Sequence, residues 1–134
     1  MATSRALFGT VPATDYLGFW ANQTLNAREV VQFLNLDKKD VARLAGVAPA
    51  SVSFDQKIPK EVLDRLHEFA NICGLVAQFL AGDAAKTALW FRTVNPMLGN
   101  ISPRDMIRYG RYDKLRQFVM NALEEDSDGE RSKV

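Results

Sequence analysis

The chain has 134 residues, is 47% hydrophobic and carries a formal net charge of +1. That apolar content supports a packed interior, so wholesale disorder is excluded, and the length suits one domain or two small helical subdomains sharing a core. The near-neutral balance is not the footprint of a domain that lives on nucleic acid. The one cysteine, Cys73, excludes an internal disulfide and a Cys-rich metal site and suits a reducing cytosol. With no leader-like start and no run of about 20 apolar residues, a cytoplasmic protein without a membrane partner is expected.

Residues 1–24 form an N-terminal arm rich in small residues but containing Phe8, Tyr16, Phe19 and Trp20. Thr14-Asp15 after Pro12 is a candidate start for a short helix burying Tyr16, Phe19 and Trp20. The arm either docks on the body or contacts a partner. Asn26 and Glu29 have capping-box spacing, and Val30, Val31, Phe33 and Leu34 give the following helix its apolar face. Asp37 caps a helix over 38–45 that Gly46 ends. Pro49 is placed to open another helix, and Pro59 a long one over 60–80.

In that long helix Val62, Leu66, Phe69, Cys73, Val76 and Leu80 recur at steps of four and three, a heptad-like seam. Leu63, Ile72, Leu75 and Phe79 form a second apolar face beside it. Core burial within the chain or a homodimer seam accounts for the two faces. Gly82-Asp83 breaks the helix, and 84–92 forms the next. Ser102-Pro103 starts another that ends at Tyr109-Gly110. A last helix from Asp113 to about Leu123 turns Leu115, Phe118, Val119, Ala122 and Leu123 inward. Residues 124–134 read as an acidic flexible tail. Convincing strands are lacking, so the fold class is all-α.

Residues 38–57 match the spacing of a helix-turn-helix. Val41 and Ala42 sit on its first helix, Gly46 makes the turn, Val47 plugs the gap and Val52 anchors the second helix. Asp55 departs from this pattern, since an apolar residue usually closes the unit there. The outward residues of the second helix lack the bidentate donors that read base edges. Candidate DNA contacts are therefore Ser51, Ser53, Gln56 and Lys57, and residues 26–66 hold seven basic and six acidic side chains. DNA binding and a purely scaffolding role are both open. If operator DNA is a partner, dimerisation must supply much of the affinity.

Three short motifs follow one another in the C-terminal part. They are Leu89-Trp90-Phe91-Arg92-Thr93, Asn95-Pro96-Met97-Leu98-Gly99-Asn100 and Ser102-Pro103-Arg104-Asp105-Met106-Ile107. On their own chemistry, Trp90 and Leu98 belong to a core, Asn95 starts a turn, and Gly99 with Asn100 supplies left-handed backbone. Arg92 is placed to cap carbonyls or to pair with Asp105. Together the motifs resemble the C-terminal domain of the Xre/MbcA/ParS antitoxin family, closely over 86–123 and in organisation over 26–80. Val94, Asn100 and the long acidic tail depart from the family pattern.

The resemblance implies an Xre-like helix-turn-helix bundle (25–81) followed by a small helical toxin-binding domain (82–123). It further implies a type II antitoxin that occludes the NAD site of a cognate RES-domain toxin, whether that toxin consumes NAD or transfers ADP-ribose. Repression of its own operon is a second implied role, and a stand-alone transcriptional regulator is the alternative. Residues 104–116 carry five basic and two acidic side chains. Arg104, Arg108 and Arg111 either form a solvated stripe or meet an acidic toxin surface. Arg104, Arg108, Tyr109, Arg111, Tyr112 and Arg116 are the candidate toxin contacts.

Catalysis by the chain itself is not expected. His67, the one histidine, has Asp64 and Glu68 nearby and reads as a half-buried surface residue, while Cys73 on the apolar seam reads as core. No phosphate-binding glycine loop or metal-ligand cluster is legible, and no cofactor is expected.

Overall fold

The computed structural model describes residues 14–55 and 57–132. The Asp15 carboxylate accepts backbone hydrogen bonds from Phe19 (3.0 Å) and Trp20 (2.9 Å), closing a loop that delivers Phe19 into the core. The short helix expected after Thr14 is replaced by this loop. A small antiparallel hairpin follows, β1 (Trp20–Ala21) and β2 (Thr24–Leu25), with Trp20 opposite Leu25. Asn22 and Gln23 both take positive φ, 50° and 66°. This is the primed two-residue turn whose twist matches its strands. The expectation of a strand-free chain therefore fails here, because Gln23 stands where glycine usually advertises such a turn.

Local capping residues set the next two helices. In α1 (Ala27–Phe33) the Asn26 side chain accepts from the Glu29 N–H at 3.4 Å. In α2 (Lys38–Ala45) the box is reciprocal, Asp37 bonding the Asp40 N–H at 2.8 Å and Asp40 the Asp37 N–H at 3.0 Å. Those donors hold the Asp37 carboxyl below its ordinary pKa. Gly46 ends α2 at φ 72°, a conformation that costs glycine nothing.

The helix expected after Pro49 does not form. Pro49–Ser51 makes a single 3-10 turn, and Val52 then runs extended at φ −82° and ψ 119°. The residues explain it. Ser51, Val52 and Ser53 are weak helix formers, and Pro59 forces its predecessor out of helical backbone. Val52 is nonetheless buried as an anchor, like Val41 and Ala42. Three of the expected helix-turn-helix anchors are thus buried, while the second helix expected after the turn is absent.

The long helix α3 (Lys60–Phe79) is the central element, packing against α1, α2, α4 (Ala84–Arg92) and α6 (Tyr112–Ser132). Val62, Leu66, Phe69, Cys73 and Val76 of its seam are buried, as is Ile72 of the second face. Both faces are therefore covered within the chain along most of α3, and only Phe79, 47% exposed, protrudes at the end. A 3-10 turn (Pro96–Leu98) and α5 (Pro103–Arg108) connect α4 to α6. One continuous core runs from Phe19 to Val119 and ignores the boundary at Gly82. The two halves are organised around the same interior.

Residues 124–132, read from the sequence as part of a flexible tail, continue α6 to Ser132, and residues 133–134 lie outside the described residues. Once a helix is nucleated by packed residues, each further residue adds one bond at little cost, and Ala122, Leu123, Glu124 and Glu125 favour that extension. No single described helix is long and apolar enough to cross a membrane.

Candidate partner-binding surface

The C-terminal motif residues first do folding work. The Asn95 N–H donates to the Ile101 carbonyl at 3.1 Å, bridging the two ends of the loop between α4 and α5. Asn95 Oδ1 accepts from the Met97 N–H at 2.9 Å, and the Asn100 N–H returns to the Asn95 carbonyl at 3.1 Å. Gly99 and Asn100 both take left-handed backbone, φ 82° and 62°. Asn100 thus does the job of a second glycine, which asparagine tolerates better than most residues. Ser102 Oγ caps α5 by accepting from the Asp105 N–H at 3.3 Å. This hairpin of helices holds Phe91 fully buried, with Trp90 and Leu98 only partly covered. The core residue of the first motif is therefore Phe91 rather than Trp90. Met97, at 77% exposure, and Val94 project from the same loop into solvent.

The basic stretch 104–116 divides into residues turned inward and residues left outside. Arg108 is a strut. Its guanidinium donates to the Asn35 carbonyl at 2.8 Å, pairs with Asp105 at 3.0 Å, and places its buried Nε 3.8 Å from Asp40. Arg43 closes the junction by donating to the Arg108 carbonyl. Arg108 thus ties α5 to α2 and is not a free partner contact, and Arg92 is exposed while Arg108 takes Asp105. Tyr112 is also removed from the candidate contacts. It is buried, with its ring centroid 5.3 Å from that of Phe69 and its hydroxyl donating to the Glu68 carbonyl at 3.2 Å. Burial, with the Glu68 carboxylate adding, raises its pKa well above the ordinary phenol value.

What remains outside is a corner. Tyr109 caps α5 with 63% of its surface exposed, Gly110 turns the chain at φ 81°, and Arg111 is exposed beyond it. Arg104 is half-buried on the preceding turn. Arg116 is half-buried further along α6 and engaged within the protein. A projecting aromatic and cation on a turn held by packed helices at both ends suit insertion into an acidic or phosphate-binding cleft.

The DNA-binding candidates fare differently. Ser51 and Lys57 are exposed, Ser53 is half-buried and already engaged, and Gln56 lies outside the described residues. Asp55, where an apolar closure is usual, pairs with Arg28 of α1. Ser51 ends the 3-10 turn, and Ser53 and Lys57 lie outside any helix, so the described candidates do not form the helical face that enters a major groove. No protein-family model, curated protein or solved structure matches the chain.

His67 packs edge-on against Trp20, ring centroids 5.2 Å apart, and burial lowers its pKa despite Asp64. The buried Cys73 thiol has its pKa pushed well above the ordinary value by loss of solvent, which suppresses the thiolate. Among the described residues no group of three or more His, Cys, Asp or Glu side chains could hold a metal.

One feature was not legible as a site in the sequence. Val76, Phe79, Leu80, Trp90, Phe118, Val119, Ala122 and Leu123 line an apolar cleft of about 180 Å³ between the end of α3, α4 and α6. The surplus apolar face counted on the long helix was its one signal, since Phe79 belongs to it.

Proposed function

We propose that this chain is an antitoxin that binds and neutralises a cognate RES-domain toxin, covering its NAD site with the Tyr109–Arg111 corner. The observation that carries this reading is the run of three motifs from Leu89 to Ile107. It resembles the antitoxin pattern, and its Asn95, Gly99 and Ser102 build the turn and helix cap between α4 and α5, with Asn100 supplying left-handed backbone where it departs from that pattern. The corner it presents is rigid, because Arg108 and Tyr112 anchor it from behind. Preorganised contacts lose less ordering entropy on binding. In this reading the chemistry belongs to the toxin, and this chain needs no cofactor.

Arg111→Glu and Tyr109→Ala test it. Both residues are exposed, so the fold should be retained while toxin affinity falls by about 2 kcal/mol or more for a central contact. Loss of neutralisation by a folded double variant supports the assignment, and unchanged inhibition of NAD consumption rejects the corner as the contact. Truncation before α6 is not a clean alternative, because Tyr112, Leu115 and Val119 are core residues. Operator binding through residues 38–57 is the weaker role, since the expected second helix is a single 3-10 turn.

A further inference from the structure

The cleft beside α6 has a feature that its apolar lining alone does not explain. Lys114, Phe118, Ala122 and Glu125 follow at steps of four, four and three, which places them along one stripe of α6. Phe118 and Ala122 line the cleft, whereas Lys114 and Glu125 at its two ends are exposed. The stripe is thus apolar in the middle, cationic toward the helix start and anionic toward its end. Phe79, beside it on α3, leaves nearly half its surface in solvent. A stripe with opposite charges at its ends is complementary to itself when reversed.

From this we infer that the cleft is a self-association surface, filled by a second copy of the chain with the two α6 helices antiparallel about a twofold axis near Met120. In that arrangement Phe118 faces Ala122 of the second copy, large against small, and Lys114 of each copy approaches the anionic end around Glu125 of the other. A twofold interface makes every such contact twice. Parallel pairing brings like charges together at both ends and is disfavoured. From Lys114 to Glu125 the helix rises about 17 Å, some three turns over which the two copies can meet. The Tyr109–Arg111 corner precedes α6, so the inference does not depend on the toxin reading.

The test uses the full chain and needs no change to the core. Sedimentation of the wild type over a wide concentration range should show a monomer–dimer equilibrium. Lys114→Glu should weaken the dimer roughly tenfold, as two attractive pairs become repulsive, and added salt should recover part of the loss. Lys114→Glu combined with Glu125→Lys should restore wild-type affinity. A wild type that stays monomeric at every concentration overturns the proposal. A dimer indifferent to Lys114→Glu, or one not restored by the charge swap, overturns it equally.

Discussion

Replacing Phe91 by alanine should destabilise both halves of the molecule together. Phe91 is completely buried on α4, with its ring centroid 5.5 Å from Phe33 of α1 and 5.1 Å from Trp90. Phe33 in turn lies 5.4 Å from Phe19, so edge-on rings connect the N-terminal loop, α1 and the C-terminal motif. Truncating a fully buried phenylalanine costs about 3–5 kcal/mol, of which the lost ring pairs account for about 0.5–1.5 each. Against a typical total of about 5–15 kcal/mol this is a large fraction. At a urea slope near 2 kcal/mol per molar, the midpoint should fall by about 2 M. Trp20 in the hairpin and Trp90 on α4 report from opposite sides of this path and can be read singly in Trp90→Phe and Trp20→Phe backgrounds. The two probes should give coincident transitions that move by the same amount. A loss under about 1 kcal/mol, or a Trp90 transition that shifts while that of Trp20 stays put, would refute the shared core.

Three further outcomes follow from the same packing. Arg108→Ala should cost about 1–3 kcal/mol by removing the hydrogen bond to the Asn35 carbonyl, the close ion pair with Asp105 and the longer charge contact with Asp40, and Arg108→Lys should not fully rescue it, both readable by urea unfolding. Gly82→Ala should lower the melting temperature, because φ is 78° and the added carbon would sit 2.7 Å from the Tyr16 ring; Tyr16→Ala should relieve only the steric part. His67 has a folded pKa below its ordinary 6.5, so it contributes stability that is present above about that pH and is lost on acidification. His67→Gln should therefore make stability less sensitive between neutral and mildly acidic pH, and an unchanged pH profile would contradict the burial of its neutral ring.

Elements governed by local chemistry were readable from the chain. Lys38–Ala45 begins and ends where Asp37 and Gly46 place its caps, and Ala84–Arg92 begins just after the break at Gly82-Asp83, because a cap is a bond between near neighbours. The all-α class and the burial of Cys73 followed from periodicity, and the burial of Val52 from the helix-turn-helix spacing. Failures came where distant packing or weak propensity decided the outcome. The second helix of the expected helix-turn-helix was supported by position alone, and Ser51, Val52 and Ser53 did not sustain it. Arg108 looked like part of an exposed stripe because its partners, Asn35 and Asp40, lie some seventy residues earlier. Tyr112 was grouped with Arg111 by the family resemblance, although Tyr112, Leu115 and Val119 already spelled out a core face.

The central claim is that this chain neutralises a RES-domain toxin. The most direct measurement is NAD consumption by the partner that co-purifies with the tagged full-length chain, assayed after the two are separated and again after they are recombined. A partner that consumes NAD alone and stops when the chain is returned is the predicted result. A partner whose activity is the same with and without the chain, or a chain recovered only with itself or with DNA, would contradict it.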